Sequence, residues 1–222
     1  MKKGLTIAVA TTMFVTPASH LYAHEAGDIL FRAGAALVAP NDSSSEVSVG
    51  GSAIAGSKAT VDNNTQLGLT LGYMLTDNIA VELLAATPFS HQIDLKGGGL
   101  DGKFASVKHL PPTLSLQYFP RENGARWQPY IGAGINYTTF FNERLSSERR
   151  DQGFSSLSLS DSWGAAFQIG SDWMINNRLM LNASIWHMDI NTTARARLDG
   201  ERVKVDVDID PWVYMIGLGY RF

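Results

Sequence analysis

The sequence predicts an all-β protein, an eight-stranded antiparallel transmembrane β-barrel with short periplasmic turns and longer extracellular loops. Three observations carry that expectation. The chain ends in WVYMIGLGYRF, which sets Trp212, Tyr214, Ile216, Leu218, Tyr220 and Phe222 on one face of a terminal strand. Period-two alternation of this kind offers one apolar side to lipid, and closure of a barrel leaves no unpaired backbone edge in hydrocarbon. Beyond residue 23 no apolar run reaches the roughly 20 residues that a spanning helix needs. Mean hydropathy is −0.05, as expected when only one face of each strand is apolar.

Residues 1–23 read as a cleaved secretory signal, with Lys2 and Lys3 as the charged region, an apolar run from Leu5 to Val15, and small residues towards the cut. Cleavage after Ala23 would begin the mature chain at His24; a cut after Ala18 is the alternative. Residues 24–222 then form one barrel domain, carried to the outer membrane through the periplasm. The formal charge of −3 becomes −5 without Lys2 and Lys3, 16 basic against 21 acidic residues, which excludes a generally basic nucleic-acid surface. There is no cysteine, so disulfides and cysteine metal sites are excluded.

The first strand, about 28–38, sends Ile29, Phe31, Ala33, Ala35 and Leu37 one way and Arg32 and Gly34 the other; the charged side must be the lumen. The second alternates Leu67, Leu69, Leu71, Tyr73 and Leu75 against Gln66, Gly68, Thr70, Gly72 and Met74, then turns at Thr76–Asn78. The third points Ile79, Val81, Leu83 and Ala85 outward and Ala80, Glu82, Leu84 and Ala86 inward. The fourth, 113–119, sends Leu114, Leu116 and Tyr118 out, with Ser115 and Gln117 in, and turns over 120–126. The fifth, 128–140, sets Ile131, Ala133, Ile135 and Tyr137 against Tyr130, Gly132, Gly134, Asn136 and Thr138.

The sixth strand sets Trp163, Ala165, Phe167, Ile169 and Trp173 against Gly164, Ala166, Gln168 and Gly170, and turns at Asn176–Asn177. The seventh points Leu179, Leu181, Ala183 and Ile185 outward and Asn182, Ser184, Trp186 and Met188 inward. The eighth changes its apolar phase, from Val203, Val205, Val207 and Ile209 to the even positions after Trp212. A bulge at Asp210–Pro211 with an extended hairpin is expected there; an extension above the membrane, where no lipid enforces a face, is the simpler alternative. Connections near 41–63, 90–109, 142–158 and 192–202 become extracellular, and Gly97–Gly99 argues for mobile tips.

Five segments resemble the outer-membrane protein W (OmpW) family of Gram-negative bacteria: NTQLGLTLGYMLTDNIAVELLAATPFSH (64–91), HLPPT (109–113), PYIGAGINYTTFF (129–141), DSWGAA (161–166) and DPWVYMIGLGYRF (210–222). The start HEAGDILFRAG (24–34) is similar as well. The loops at 41–63, 142–155 and 195–205 carry no such likeness. The resemblance implies an eight-stranded barrel with a narrow hydrophobic channel closed towards the periplasm. It further implies passive uptake of small hydrophobic molecules, with lateral release into the membrane. By matching ELLAATP and the tryptophan of the seventh strand, it places the channel constriction on Leu84 and Trp186.

Parity alone puts Leu84, Trp186, Met74, Met188 and Tyr130 inside, an apolar set that excludes ions but favours apolar solutes. The plainer alternative is that Leu84 and Trp186 are packing plugs, since small barrels fill their interiors. Arg32 and Glu82 also face inward, and Gln117, Gln168 and Asn136 could complete a buried polar floor. Pro88, Pro111 and Pro112 flank the second long loop, where missing backbone donors either part the wall as a lateral exit or simply shape the loop.

No catalytic residues and no metal site are expected, and no cofactor; no Ser-His-Asp set exceeds chance spacing, and His20 and His24 are separated by the expected cleavage. Arg144, Arg149, Arg150, Arg195, Arg197, Arg202 and Lys204 suit lipopolysaccharide phosphates, or are balanced by Glu143, Glu148, Asp151 and Glu201. The expected partners are therefore small hydrophobic molecules, outer-membrane lipid and lipopolysaccharide. The strand ending at Phe222 also suits the barrel-assembly machinery. A surface receptor for phages or bacteriocins acting through the loops, and a purely structural envelope barrel, are the competing functions.

Overall fold

A computed structural model describes residues 24–120 and 125–222. The expected signal, 1–23, and part of the turn expected over 120–126 lie outside the described residues. In chain order the strands are β1 (Ile29–Ala39), β2 (Ser43–Ser44), β3 (Ser48–Val49), β4 (Ser52–Ala53), β5 (Lys58–Val61), β6 (Asn64–Met74), β7 (Ile79–Ala86), β8 (Phe89–Lys96), β9 (Gly102–Leu110), β10 (Thr113–Tyr118) and β11 (Trp127–Leu145). After a short helix α1 (Ser147–Asp151) come β12 (Phe154–Leu159), β13 (Ser162–Met174), β14 (Leu179–Met188), β15 (Asn191–Leu198), β16 (Glu201–Asp208) and β17 (Trp212–Arg221).

Eight of these close a ring of antiparallel neighbours, β1-β6-β7-β10-β11-β13-β14-β17 and back to β1. First and last strands zip together from Leu30 opposite Arg221 to Ala39 opposite Trp212, so no barrel edge is left open. The alternation expected from the sequence is the alternation observed. Leu71, Leu116, Ile131, Phe167, Ile169 and Ile216 are exposed on the outside, a contiguous apolar belt that only lipid can cover. Aromatic side chains edge it: Trp127 pairs across from Trp173, and at the other end Tyr137 packs on Trp163 with ring centroids 4.7 Å apart.

The apolar phase change in the last strand has a different origin from the expected bulge. Leu179 lies opposite Tyr220 and His187 opposite Trp212, while Asn191 lies opposite Asp208 and Leu198 opposite Glu201. One register therefore runs unbroken through Asp210–Pro211, and odd residues face inward on both sides of it. What changes is the exterior. Beside Tyr214 and Ile216 it is lipid, whereas beside Lys204 and Asp206 it is water, so there only the inward valines are apolar. A register shift does occur in β11, between Phe141 and Arg144, where Asn142 adopts φ 54°.

The long connections occupy the expected positions but are largely not loops. Residues 89–110 form the hairpin β8–β9, which pairs with upper β11 from Leu110 opposite Thr139 to Ala105 opposite Leu145. The hairpin β15–β16 prolongs β14 and β17, and β12, β2 and β3 add to its edges. The barrel wall thus continues above the membrane because these segments bury an apolar face inward: Ile93, Leu95 and Val107 on one side, Val203, Val205 and Val207 on the other. Gly97, Gly98 and Gly99 make the tip of the first hairpin at φ 75°, 62° and 77°, a left-handed run that side chains resist.

Candidate functional site

Three layers fill the barrel from the periplasmic end upward. Lowest is an apolar plug of Leu30, Met74, Ala80, Phe119, Met174 and Met180, all fully or almost fully buried. Above it Arg32, Glu82 and Asp172, each 0% exposed, form the floor. Arg32 donates from Nε to Asp172 Oδ1 at 2.9 Å and from Nη2 to Asp172 Oδ2 at 2.5 Å, a two-pronged contact, and from Nη1 to Glu82 Oε2 at 2.5 Å. One guanidinium faces two carboxylates, and further side chains approach the remaining lone pairs. Gln168 Nε2 donates to Glu82 Oε1 (3.2 Å), Asn182 Nδ2 to Asp172 Oδ1 (2.8 Å), and His24 Nε2 lies 3.0 Å from Asp172 Oδ2.

Tyr130 completes the floor. The Arg32 guanidinium lies 5.2 Å from its ring centre, its hydroxyl accepts from Asn182 Nδ2 at 3.0 Å, and its ring covers Gly170, where any side chain would collide with it. Of the residues expected to line a lumen, Arg32, Met74, Glu82 and Tyr130 therefore fill the bore rather than border an opening. Asn136, expected in this floor, sits higher, with its Nδ2 donating to Thr113 Oγ1 (2.9 Å) and Pro111 O (3.2 Å). Asp172 and His24 are the floor members that sequence reasoning missed. The alternation that sends Trp173 outward also sends Asp172 inward, so this acid was legible; His24 precedes every strand and no periodicity reports it.

Leu84 and Trp186 come from opposite walls, with β6, β1 and β17 between them on one side and β10, β11 and β13 on the other. Following paired residues from Leu84 through Thr70, Arg32 and Gly219 reaches Met180 on β14. The other way, through Thr113 and Asn136, it reaches Gly164, just past Ala166, the partner of Met188. Strand tilt makes the two paths arrive at different heights, and the point level with Leu84 falls between them. Trp186 stands there. Both side chains are buried in one cluster with Ala36, Ala166, Met188, Val213 and Met215, while Trp186 Nε1 has no hydrogen-bond partner among the described residues.

Above this pair the extended wall encloses an apolar chamber lined by Val38, Ile93, Phe104, Phe140, Ile190, Val205 and Val207, among others. Its side chains nearly meet and leave about 40 Å³ open, room for water, whereas an organic molecule would fit only if the wall or its side chains moved. Two histidines interrupt the apolar lining. His91 and His109 stack with ring centres 5.0 Å apart. Burial pushes the pKa of His91 down, and burial together with the neighbouring His91 pushes His109 down to about 3.

The three prolines flank a break in the wall. The ladder between β7 and β10 ends at Leu84 opposite Thr113, and that between β8 and β9 begins at Phe89 opposite His109. Pro88 and Pro112 are exposed in the interval and Pro111 is buried. The neighbouring seam stays bonded there, through Tyr137 N donating to Pro112 O at 3.0 Å. Of the cations expected at the cell surface, Arg149 is instead a buried staple, donating from Nη2 to Leu100 O (2.5 Å) and Asp101 O (3.0 Å) and from Nη1 to Gln152 Oε1 (2.9 Å).

Residues 25–222 match the OmpW family. The chain is 47% identical over 224 residues to outer membrane protein W of Escherichia coli K12, covering all of both chains. The crystal structure of outer membrane protein OprG from Pseudomonas aeruginosa superposes with a TM-score of 0.87 at 54% identity, over 90% of this chain and 97% of that one. A more distant relative is the dibenzothiophene metabolism operon protein PahQ of Pseudomonas aeruginosa, 28% identical over 183 residues and 82% of each chain. With a closed barrel, a lipid-facing belt and this whole-length likeness, the chain is an integral outer-membrane protein and belongs to the OmpW family.

Proposed function

We propose that the protein is an outer-membrane channel for passive uptake of small hydrophobic molecules. The observation that carries this is an apolar chamber standing directly on Leu84 and Trp186 above a sealed ionic floor. Apolar solutes gain about 25 cal/mol per Å² on entering such a space, and ions lose their hydration. The name of PahQ ties that relative to the metabolism of an apolar aromatic compound, which supports the same class of cargo here. Because the floor closes the axial route, cargo leaves sideways through the unpaired interval at Pro88, Pro111 and Pro112 into lipid.

The test is flux of a small apolar reporter into proteoliposomes or intact cells for wild type, Leu84→Ala and Trp186→Ala at matched surface levels. The expected result is a several-fold change for the apolar reporter with none for a charged one. Wild-type flux equal to that of empty membranes overturns the channel. Alanine at the three prolines restores backbone donors and is expected to slow apolar flux; unchanged flux rejects the lateral exit. N-terminal sequencing of the mature protein is expected to begin at His24, and a start at Ser19 would place the cut after Ala18.

A further inference from the structure

Within the chamber, polar groups are rare and two of them are unanswered. His91 is 3% exposed and His109 6%, and both line the chamber. His91 Nδ1 lies 2.6 Å from the Asp62 carbonyl oxygen. A carbonyl can only accept, so Nδ1 carries the proton, and in the neutral ring Nε2 is then a bare lone pair. Among the described residues that Nε2 is buried without a partner, and so is His109 Nδ1. Leaving such an atom unpaired in an apolar wall is costly, and no neighbouring side chain relieves it.

The surroundings of this lone pair are aromatic. Phe89 stacks on His109 (5.4 Å, 21°) and on His91 (6.4 Å, 27°), and His109 packs on Phe140 (5.8 Å). These four rings come from β8, β9 and β11, which the ladders hold in register: Phe89 opposite His109, and His109 opposite Phe140. An aromatic cluster on the wall thus carries one fixed hydrogen-bond acceptor, the arrangement that selects a mostly apolar molecule by a single polar group.

We infer that His91 and His109 form a recognition site in the chamber for hydrophobic molecules that carry one hydrogen-bond donor, aromatic alcohols foremost. Once the chamber side chains part to admit it, the hydroxyl donates to His91 Nε2 and the ring lies against His109 and Phe140. Purely apolar compounds pass the same wall but leave Nε2 unpaired. This rests on the channel reading for its physiological meaning, but binding itself does not depend on transport.

The experiment is equilibrium binding of 2-naphthol and of 2-methoxynaphthalene, which lacks the donor, to the purified barrel in nanodiscs, for wild type, His91→Phe and His109→Phe. Comparing each ligand with itself across variants cancels its partition into lipid. The expected result is about a tenfold loss of 2-naphthol affinity in His91→Phe, the equivalent of about 1.4 kcal/mol, with 2-methoxynaphthalene changed by less than about twofold. Should His91→Phe fail to fold, wild type alone decides: the ¹⁵N resonance of His91 Nε2 is expected to move with 2-naphthol and to stay with the ether. Equal changes for both ligands, binding of neither, or a resonance indifferent to the hydroxyl overturns the site. Hydroxyl-selective binding without any flux would instead sink the channel and leave the site standing.

Discussion

Arg32→Ala is expected to lower the unfolding free energy of the barrel by about 3–5 kcal/mol, the cost of removing one partner from a buried ionic cluster. The variant leaves Glu82 and Asp172 facing one cavity without the guanidinium, both 0% exposed, and only amides and His24 to answer them. Denaturant titration of the refolded barrel, followed by tryptophan fluorescence, measures the effect. The triple variant Arg32→Met, Glu82→Gln, Asp172→Asn removes the charges of these three residues together and is expected to recover most of the loss, because neither carboxylate is then left without the guanidinium. Unchanged stability in Arg32→Ala would mean that the strand ladders alone hold the periplasmic end together.

Acidification is expected to loosen the extracellular wall at β8–β9 while the membrane-embedded ring stays closed. His109 titrates at about 3 in the fold against about 6.5 in an unfolded chain, and His91 is shifted the same way. The unfolded segment therefore binds more protons than the folded one between these values. Stability contributed by the neutral rings is full above about pH 6.5 and is lost as the pH falls, for His109 towards 3 by up to about 1.4 kcal/mol per pH unit, and for His91 in the same direction. Asp62 faces His91 from the link between β5 and β6, with its Oδ1 3.5 Å away, and offsets part of the loss there. Amide hydrogen exchange, corrected for intrinsic rates, is expected to accelerate in 89–110 between pH 7 and 4.5 and not in β1 or β17. The variant carrying His91→Phe and His109→Phe should lack that acceleration; if it responds as wild type does, the histidines are not its source.

The inward or outward direction of nearly every spanning residue was legible, including Leu84, Trp186, Arg32 and Glu82, because strand parity is a local property and lipid punishes any error in it. The extracellular half was less legible. Val203–Ile209 showed its alternation plainly, but whether a bulge or a change of surroundings shifted the apolar phase depended on the partner strand. The segments 89–110 and 191–208 carry glycines and charges at their tips, which suggest loops, and only the pairing of the first with β11 and of the second with β12, β2 and β3 makes them walls.

By itself, then, the sequence determined that this chain is an eight-stranded barrel with a lipid-facing belt, a charged interior level and an apolar section around Leu84 and Trp186. Tertiary structure alone decided who meets whom inside. Arg32 finds Asp172 across 140 residues, and His24 reaches the same carboxylate across 148. His91 stacks on His109 because the register of one hairpin sets them side by side. The physical reason is that a strand's alternation encodes only which side of the wall a residue takes. Its neighbours across the lumen follow from ring closure and strand tilt, which no single segment contains.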